Sequence, residues 1–594
     1  MKLTLFLARK RFRLQLERRI DLVVFYFALL GFVAVFVDVG GIHSDWHPYF
    51  DKFYHACLIL FLASFGLRAY LNRFVFKKRR ERWLVLLELA FLSVLLLAQY
   101  DIEFLEDLSS RNFLQLAISL IFIVEISKRS LGLEKLKMNP PFLFIFSFLV
   151  LIIIGAFALM LPISTQNGIK LLDALFTSTS AVCVTGLSVV DTGTYFTRFG
   201  QNVILALISL GGLGVMTFTS FFGFFFKGEA SFRNQMIYKD FTGEENLRNV
   251  FTTIIKIVSL TIGVEIVGAT LLFFSLDSAD FPGGIWERIY FAVFHSISAF
   301  NNAGFQLKAN GLYDEVLRHN YSFQLVISVL IIFGGIGFYI AFNIVHFIRE
   351  RIKAHVRHIL FMEPYQHKPW VLNFNTKIVL LTTVVLLVAG TLFFYLTEYD
   401  SSLKEHEGFG KWVVAFFCSV TPRTAGFNNI DMAAFSREGI LITFLLMWIG
   451  ASPGSTGGGI KTSTFAIATL GIFSIARGRD RIEFAKREIA QESLLRAFII
   501  ICLSLIILGM STLAVGFFNP DLSLEKITFE CFSAFGTVGL SLGITSQLSQ
   551  ASKIAIILTM FIGRVGVFTI LVGLLKKVRD ARFYHYPVEN VIIT

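Results

Sequence analysis

The stretch FTSTSAVCVTGL, residues 176–187, ends a short apolar segment on a single glycine, Gly186. The same pattern returns as FHSISAFNNAGF at 294–305, FFCSVTPRTAGF at 416–427 and FECFSAFGTVGL at 529–540. Each stretch has a phenylalanine ten positions before its glycine, in the pairs Phe176 and Gly186, Phe294 and Gly304, Phe416 and Gly426, and Phe529 and Gly539. Recurrence at a spacing of about 120 residues indicates four structural repeats in one chain.

The composition is typical of a polytopic membrane protein. Of the 594 residues, 55% are hydrophobic and only 16% are charged, and the mean hydropathy is +0.68. The net charge of +12 comes from basic clusters between apolar blocks, such as residues 2–19, 73–82 and 349–357, whereas residues 100–107 are acidic. This distribution follows the positive-inside rule, so it predicts cytoplasmic loops and two cytoplasmic termini rather than a nucleic-acid partner.

The apolar segments divide the chain into five regions. Residues 1–139 contain four of these segments, at 22–38, 54–71, 83–98 and 113–127. Glu88 lies in the third segment and Glu125 in the fourth. We expect a structural or pairing role for Glu88 and an interfacial position for Glu125. The four repeats occupy residues 140–246, 247–370, 371–492 and 493–594. The predicted fold is an all-α protein with twelve spanning helices: four N-terminal ones, then four membrane–pore-loop–membrane repeats around one pore.

The segment before each glycine is too short to cross a bilayer. Residues 171–183 would form a helix of about 20 Å, whereas the hydrocarbon core is about 30 Å thick. Non-helical backbone at that depth is tolerated only inside protein or beside water. The repeats therefore predict four re-entrant loops around one axis. The alternative, that each glycine merely ends a helix, explains one loop better than four.

Four converging loops could replace the hydration shell of a monovalent cation with backbone carbonyls. Glycine permits the required backbone conformation without a side chain on the axis, and the C-terminal ends of the short helices favour a cation. The loops carry no acid, unlike the Asp or Glu rings of other cation pores. The candidate filter residues are Val184, Thr185, Gly186, Leu187, Asn302, Ala303, Gly304, Phe305, Thr424, Ala425, Gly426, Phe427, Thr537, Val538, Gly539 and Leu540.

A glycine-rich stretch, GASPGSTGGGIKTST at 450–464, interrupts the second membrane segment of the third repeat. A nucleotide-binding P-loop would need contiguous Gly-Lys-Ser/Thr after a strand, but Ile460 separates Gly459 from Lys461. The stretch instead predicts a helix that breaks beneath the filter, with a loop of small residues that crosses the pore without sealing it permanently. The candidate gate residues are Gly454, Ser455, Thr456, Gly457, Gly458, Gly459, Lys461 and Arg564.

Arg564 lies inside an apolar segment, where a charged side chain is costly and seldom without function. We expect it to donate hydrogen bonds to carbonyls of the loop or to repel cations below the filter. Pairing with Glu265 is the structural alternative. For His295, in the second short segment, a structural hydrogen bond is favoured over proton coupling.

The quartet VTGL, NAGF, TAGF and TVGL, with the phrases SAFNNAGF and TPRTAGFN, resembles the Trk/Ktr/HKT superfamily of potassium uptake proteins over residues 140–582. The resemblance implies a whole pore in one subunit, potassium as the permeant ion and no further cofactor or metal. It also implies an intramembrane gating loop, a homodimer in the cytoplasmic (inner) membrane among lipids, and a cytosolic nucleotide-binding ring of the TrkA or KtrA kind. Because Gly186 is kept where some plant relatives have serine, it favours potassium over sodium.

Two other function classes compete with this interpretation. A secondary transporter coupled to sodium or protons would favour inverted repeats and a midplane site, whereas these repeats run parallel. A membrane enzyme would need a nucleophile, an acid pair or a metal set within the bilayer, and the sequence contains no such cluster. The five scattered cysteines form no CxxC pair, which argues against a disulfide framework or a zinc site.

Overall fold

The computed structural model describes residues 2–41, 47–72, 114–115, 117–119, 121–122, 140–225, 250–361, 372–479 and 481–574. The chain forms two compact units. One comprises residues 1–137, 157–170 and 196–200, and the other comprises residues 138–156, 171–195 and 201–594. The predicted N-terminal segment at 83–98 lies outside the described residues, and so do Glu88, which falls in it, and Glu125.

The first unit contains two long helices, α1 (Lys2–Val39) and α2 (His47–Asn72). Asp38 is buried near the end of α1, and its carboxylate accepts hydrogen bonds from Tyr54 Oη and Gln115 Nε2, both at 2.8 Å. His47 Nδ1 lies 2.9 Å from the same carboxylate. A buried carboxylate is stable when its oxygens are hydrogen-bonded in this way, so Asp38 joins α1 to α2 and to the helical residues near 115.

Each of the four repeats has a long first helix, a short helix that ends before the glycine segment, and one or two further helices after it. Repeat 1 contains α3 (Pro140–Leu159), α4 (Leu171–Val182) and α5 (Arg198–Phe225). Repeat 2 contains α6 (Val250–Ser275), α7 (Gly284–Phe300), α8 (Tyr321–Ile336) and α9 (Phe338–Phe361). Repeat 3 contains α10 (Phe374–Thr397), α11 (Phe409–Val420), α12 (Arg437–Trp448) and α13 (Thr462–Ala476). Repeat 4 contains α14 (Gln491–Phe518), α15 (Leu524–Gly536), α16 (Gln550–Val565) and α17 (Val567–Leu574).

Several of these helices can cross a membrane. Within the described residues, four stretches are long and apolar enough to do so: Leu22–Val39, Ile255–Ser275, Phe374–Thr397 and Gln491–Phe518. The pair α8 and α9 passes the same test together but is bent by 103°. Large apolar side chains such as Phe274 (75% exposed) and Phe517 (81%) face outward, as expected where lipid is the solvent. The protein is a multi-pass membrane protein.

The short helices pack against the outer helices through small residues. Gly155 on α3 lies against Ser178 on α4, Gly268 on α6 against Ser296 on α7, and Gly390 on α10 against Ser419 on α11. Each serine donates a hydrogen bond to a carbonyl of that outer helix, namely to Ile152, Glu265 and Leu387, at 2.7–2.9 Å. Small residues allow close helix approach where no hydrophobic effect drives association. The short helices are thereby fixed inside the protein.

A small hairpin, β1 (Ile482–Phe484) paired antiparallel with β2 (Arg487–Ile489), connects repeats 3 and 4. Its turn residues Ala485 and Lys486 have φ of 48° and 62°, the left-handed values that a two-residue hairpin turn requires. This hairpin is not among the elements predicted from the sequence.

Candidate functional site

The four glycine segments adopt one backbone pattern. Each filter glycine has a positive φ, and so does the residue two positions before it. The glycines have φ of 91° (Gly186), 68° (Gly304), 75° (Gly426) and 95° (Gly539), and the preceding residues 56° (Val184), 58° (Asn302), 72° (Thr424) and 49° (Thr537). These four are among only six non-glycine residues with positive φ in the part of the chain described. Because this conformation is costly away from glycine, the packing around the loops imposes it.

The four glycines meet in a closed ring. A Cβ added to Gly186 would lie 2.5 Å from the carbonyl oxygen of Ala303 and 3.1 Å from Cα of Gly304. The same relation runs from repeat 2 to repeat 3, from 3 to 4 and from 4 back to 1, where the facing carbonyls belong to Ala425, Val538 and Thr185. The structure therefore brings all four segments to a single axis, in chain order, with backbone against backbone.

Hydroxyl groups of the short helices hold the segments that follow them. Ser180 Oγ and Ser533 Oγ each accept a hydrogen bond at 3.0 Å from the filter glycine amide of their own repeat. In repeats 2 and 3 the hydroxyl donates instead: Ser298 to the carbonyl of Phe305 at 2.8 Å, and Thr421 to that of Phe427 at 2.6 Å. A loop fixed to its own helix in this way is preorganised rather than flexible.

Repeat 3 differs from the others in register by one residue. The serine that bonds the outer helix stands eight positions before the glycine in repeats 1 and 2 but seven before it in repeat 3, where it is Ser419. In keeping with this shift, Phe417 is the fully buried phenylalanine of the short helix α11. Phe416, which the ten-residue spacing pairs with Phe176, Phe294 and Phe529, is only partly buried. The structural counterpart of Phe176 and Phe294 in this repeat is therefore Phe417, nine positions before Gly426.

The glycine-rich stretch lies directly against the filter segments. Helix α12 ends at Trp448 and α13 begins at Thr462, and we call residues 449–461 the intramembrane loop. The amide of Gly458 donates to Thr537 Oγ1 at 3.1 Å, and Thr456 Oγ1 donates to the carbonyl of Phe300 at 3.4 Å. A Cβ on Gly457 would collide with the side chain of Thr424. The stretch follows a helix rather than a strand, so it does not have the context of a P-loop.

Two cations hold the intramembrane loop. Arg564, 5% exposed, donates to the carbonyl of Thr456 and, at 2.8 Å, to the carbonyl of Gly211 on α5. Lys461 Nζ donates to the carbonyl of Gly457 at 2.7 Å. Glu265 instead accepts from Asn301 Nδ2 at 2.9 Å. The alternative pairing of Arg564 with Glu265 is therefore wrong.

The remaining candidates are Gly454, Ser455 and Gly459 of the loop and His295 of α7. The carbonyl of Gly454 accepts from the amide of Phe338 at 3.2 Å, and Ser455 Oγ donates to the carbonyl of Ser452 at 2.6 Å. Gly459 has a φ of 66° and lies beside Gly450 and Gly536. His295 is buried, and its Nδ1 lies 2.9 Å from the carbonyl of Phe291, which is the structural hydrogen bond that the sequence analysis favoured.

Two further breaks were missed by the sequence analysis. Helix α8 ends at Ile336, before Gly337 with a φ of 90°, and α16 ends at Val565, before Gly566 with a φ of 87°. The motifs GGIG (334–337) and GRVG (563–566) could have indicated these two breaks, but only the break in repeat 3 was predicted. At Gly337 the chain turns toward the intramembrane loop, whose Ser452 amide donates to the carbonyl of Gly335 at 3.0 Å.

The chain is similar to proteins of a known family. The family model TrkH, described as a cation transport protein, matches residues 109–586. The Ktr system potassium uptake protein B of Vibrio alginolyticus is 35% identical over 475 residues, which is 80% of this chain and 98% of the relative. The potassium/sodium uptake protein NtpJ of Enterococcus hirae is 35% identical over 465 residues, 77% of this chain and 98% of the relative.

A solved structure has the same fold. The crystal structure of the potassium transporter TrkH from Vibrio parahaemolyticus aligns with a TM-score of 0.57 and covers 91% of this chain and 98% of that one. At 14% sequence identity, the alignment bears on the fold alone. Together with the family match it confirms the resemblance drawn from the four glycine segments.

Proposed function

The chain belongs to the TrkH family of cation transport proteins, and on that premise we propose that it takes up potassium through a channel-like pore whose filter is the ring of four glycine segments. The observation that carries the proposal is the closed backbone contact from Gly186 through Gly304 and Gly426 to Gly539. A ring of this kind presents peptide oxygens from four sides to a dehydrated monovalent cation. As a family member the chain is a transport protein rather than an enzyme.

The electrostatics around the ring support a monovalent cation. Helices α4, α7, α11 and α15 all end at the ring, so their negative C-terminal ends point toward it. The sixteen filter residues carry no charge. The nearby carboxylate of Glu530 is fully buried and accepts hydrogen bonds from Ser541 and Thr545, so it acts as an internal bond acceptor rather than as an ion ligand.

The intramembrane loop supplies the gate in this proposal. It lies against Thr424 and Thr537, which precede two of the filter glycines, and Arg564 connects it to α5 of repeat 1. A hydrogen bond from a charged donor contributes about 1.5–3 kcal/mol. Opening requires these bonds to break, and the loop's glycines keep the barrier to that change low.

We further propose a homodimer in the cytoplasmic membrane, with both termini cytoplasmic, regulated by a cytosolic nucleotide-binding ring. The relatives named as members of a Ktr system support a partner of this kind. The basic clusters support the orientation.

Electrical recording of the purified protein in a bilayer tests the transport mechanism. We expect a current that reverses at the potassium equilibrium potential and does not require sodium or a proton gradient. Because one relative is named a potassium/sodium uptake protein, sodium is varied independently on each side. A current that disappears without sodium, or that reverses far from the potassium potential, would favour a coupled transporter and reject the pore.

A further inference from the structure

Arg423, next to the filter residue Thr424, is buried and has no counter-charge among the described residues. It is 8% exposed, its Nε is buried without a hydrogen-bond partner, and no described carboxylate lies within ion-pair distance of it. Removing a cation from water costs several kcal/mol unless another group compensates for the lost hydration. Arg564, equally buried, obtains two carbonyls for this purpose, so Arg423 requires a compensating group of another kind.

Arg423 lines a small cavity between repeats 2 and 3, with free space for about one water molecule. Thr383 on α10 lines the same cavity, is 4% exposed, and has an Oγ1 that finds no partner among the described residues. The other lining groups, such as Leu387 and Ala451, are apolar. The buried Nε of Arg423 and the buried hydroxyl of Thr383, neither with a hydrogen-bond partner among the described residues, therefore belong to the lining of one small space.

The lining chemistry defines the occupant. A guanidinium only donates hydrogen bonds and a hydroxyl can donate, so the site suits an acceptor that carries negative charge. A second cation is excluded by Arg423, and a multiply charged anion would leave charge uncompensated against apolar walls. The free space holds a group of about the size of one water molecule. We propose that this cavity binds a single small monovalent anion, of the size of a halide.

The position of the cavity connects the anion to the intramembrane loop. Gly335, whose carbonyl accepts from the amide of Ser452, lines one side, and Ala451 of the loop lines another. A bound anion would neutralise Arg423 and stabilise this closed contact between the bend at α8 and the loop. Such regulation of flux rests on the proposed function, whereas the binding itself does not.

Thermal unfolding of the purified protein in potassium bromide, chloride or gluconate tests binding. Because a ligand of the folded state stabilises it, bromide and chloride should raise the unfolding midpoint by about 2–4 °C over gluconate. The variants Arg423→Met and Thr383→Val should lose this difference. The matched control Thr382→Val, which changes a neighbouring hydroxyl bonded to the carbonyl of Ile378, should keep it.

Equal midpoints in all three salts would overturn the site, as would an undiminished bromide effect in Arg423→Met. If that variant does not fold, Thr383→Val decides by the same criterion. In crystals grown with bromide, an anomalous peak beside Arg423 is expected, and water alone at that place would refute the proposal.

Rubidium uptake into vesicles tests the regulatory consequence. We expect slower uptake in chloride than in gluconate for the unchanged protein, and equal uptake for Thr383→Val. If bromide raises the midpoint but no salt supports uptake, the proposed transport function fails while the anion site stands. Equal uptake in both salts by an active protein refutes the connection to the gate.

Discussion

Replacing Gly304 by alanine should reduce discrimination between potassium and sodium. The residue has a φ of 68°, a conformation that costs alanine about 1–2 kcal/mol. Its new Cβ would lie 2.7 Å from the carbonyl oxygen of Ala425 and 3.1 Å from Cα of Gly426, so that carbonyl must move by several tenths of an ångström. If the displaced oxygen is an ion ligand, we expect the preference for potassium to fall about tenfold, the equivalent of about 1.4 kcal/mol.

Two other glycines of repeat 2 are matched controls. Gly284 has a φ of 76°, but an added Cβ would have nothing within 4 Å, so Gly284→Ala carries the backbone penalty alone. Gly263 lies within α6 with open space around it, so Gly263→Ala carries neither penalty. We expect Gly284→Ala to lower stability by about 1–2 kcal/mol and to keep the ion preference, and Gly263→Ala to keep both.

The assay is rubidium uptake into vesicles in competition with potassium or sodium, normalised to the amount of inserted protein. The ratio of the two inhibition constants reports ion preference independently of expression. If Gly304→Ala retains the ratio of the unchanged protein, the ring of carbonyls does not set selectivity. If Gly284→Ala loses the ratio as well, the effect arises from general backbone strain and the argument from the ring fails.

Three further predictions concern other contacts. Arg564→Ala should increase rubidium uptake about tenfold or more, because a charge-assisted bond to the intramembrane loop contributes about 1.5–3 kcal/mol; unchanged or lower uptake by inserted protein contradicts the gate. Asp173→Asn should destabilise the protein by about 3 kcal/mol, because Lys553 Nζ lies 2.7 Å from the Asp173 carboxylate and joins repeat 4 to repeat 1. Thermal unfolding measures this change, and no loss of stability would mean that the ion pair contributes little. Burial, with the charge of His319 nearby, lowers the pKa of His406 to about 4. His406 therefore binds a proton less readily in the folded protein than in the unfolded chain, so stability should fall as pH drops from 6.5 toward 4. His406→Gln should flatten that pH dependence of the unfolding midpoint, and an unaltered profile would show that His406 does not contribute to it.

Features with a local cause could be predicted from the sequence. A segment too short to span, followed by glycine, predicts a re-entrant loop because bilayer thickness is fixed, and the long glycine-rich stretch predicts a broken helix. We expected Arg564 to donate to a carbonyl of the loop, as it does at Thr456, but its second partner, Gly211, was not predictable in this way. Its carbonyl partners, on Thr456 and Gly211, are 108 and 353 residues away in the chain, and any buried acid, such as Glu265, suited the pattern equally well.

The motifs GGLG (211–214) and GGIG (334–337) likewise show that a local sequence pattern does not by itself determine the backbone conformation. Gly214 ends the first motif inside α5, which continues from Arg198 to Phe225, whereas Gly337 ends the second at a bend of 103°. The difference lies outside the motif, because the amide of Phe338 after the bend donates to the carbonyl of Gly454 in the intramembrane loop. Glycine permits both conformations, and a tertiary hydrogen bond selects one.

The register shift in repeat 3 is a further difference among the four repeats. In the other repeats, one amide closes the end of the short helix onto the serine carbonyl, as Thr185 does on Ser180 at 2.7 Å. In repeat 3 the carbonyl of Thr421 receives two amides, from Ala425 at 3.0 Å and Gly426 at 3.3 Å, because the connection is one residue shorter. The tighter turn belongs to the repeat that contains both the intramembrane loop and the unpaired Arg423. In the proposed mechanism, the repeat that departs from the others in register is therefore also the repeat that supplies the gating loop.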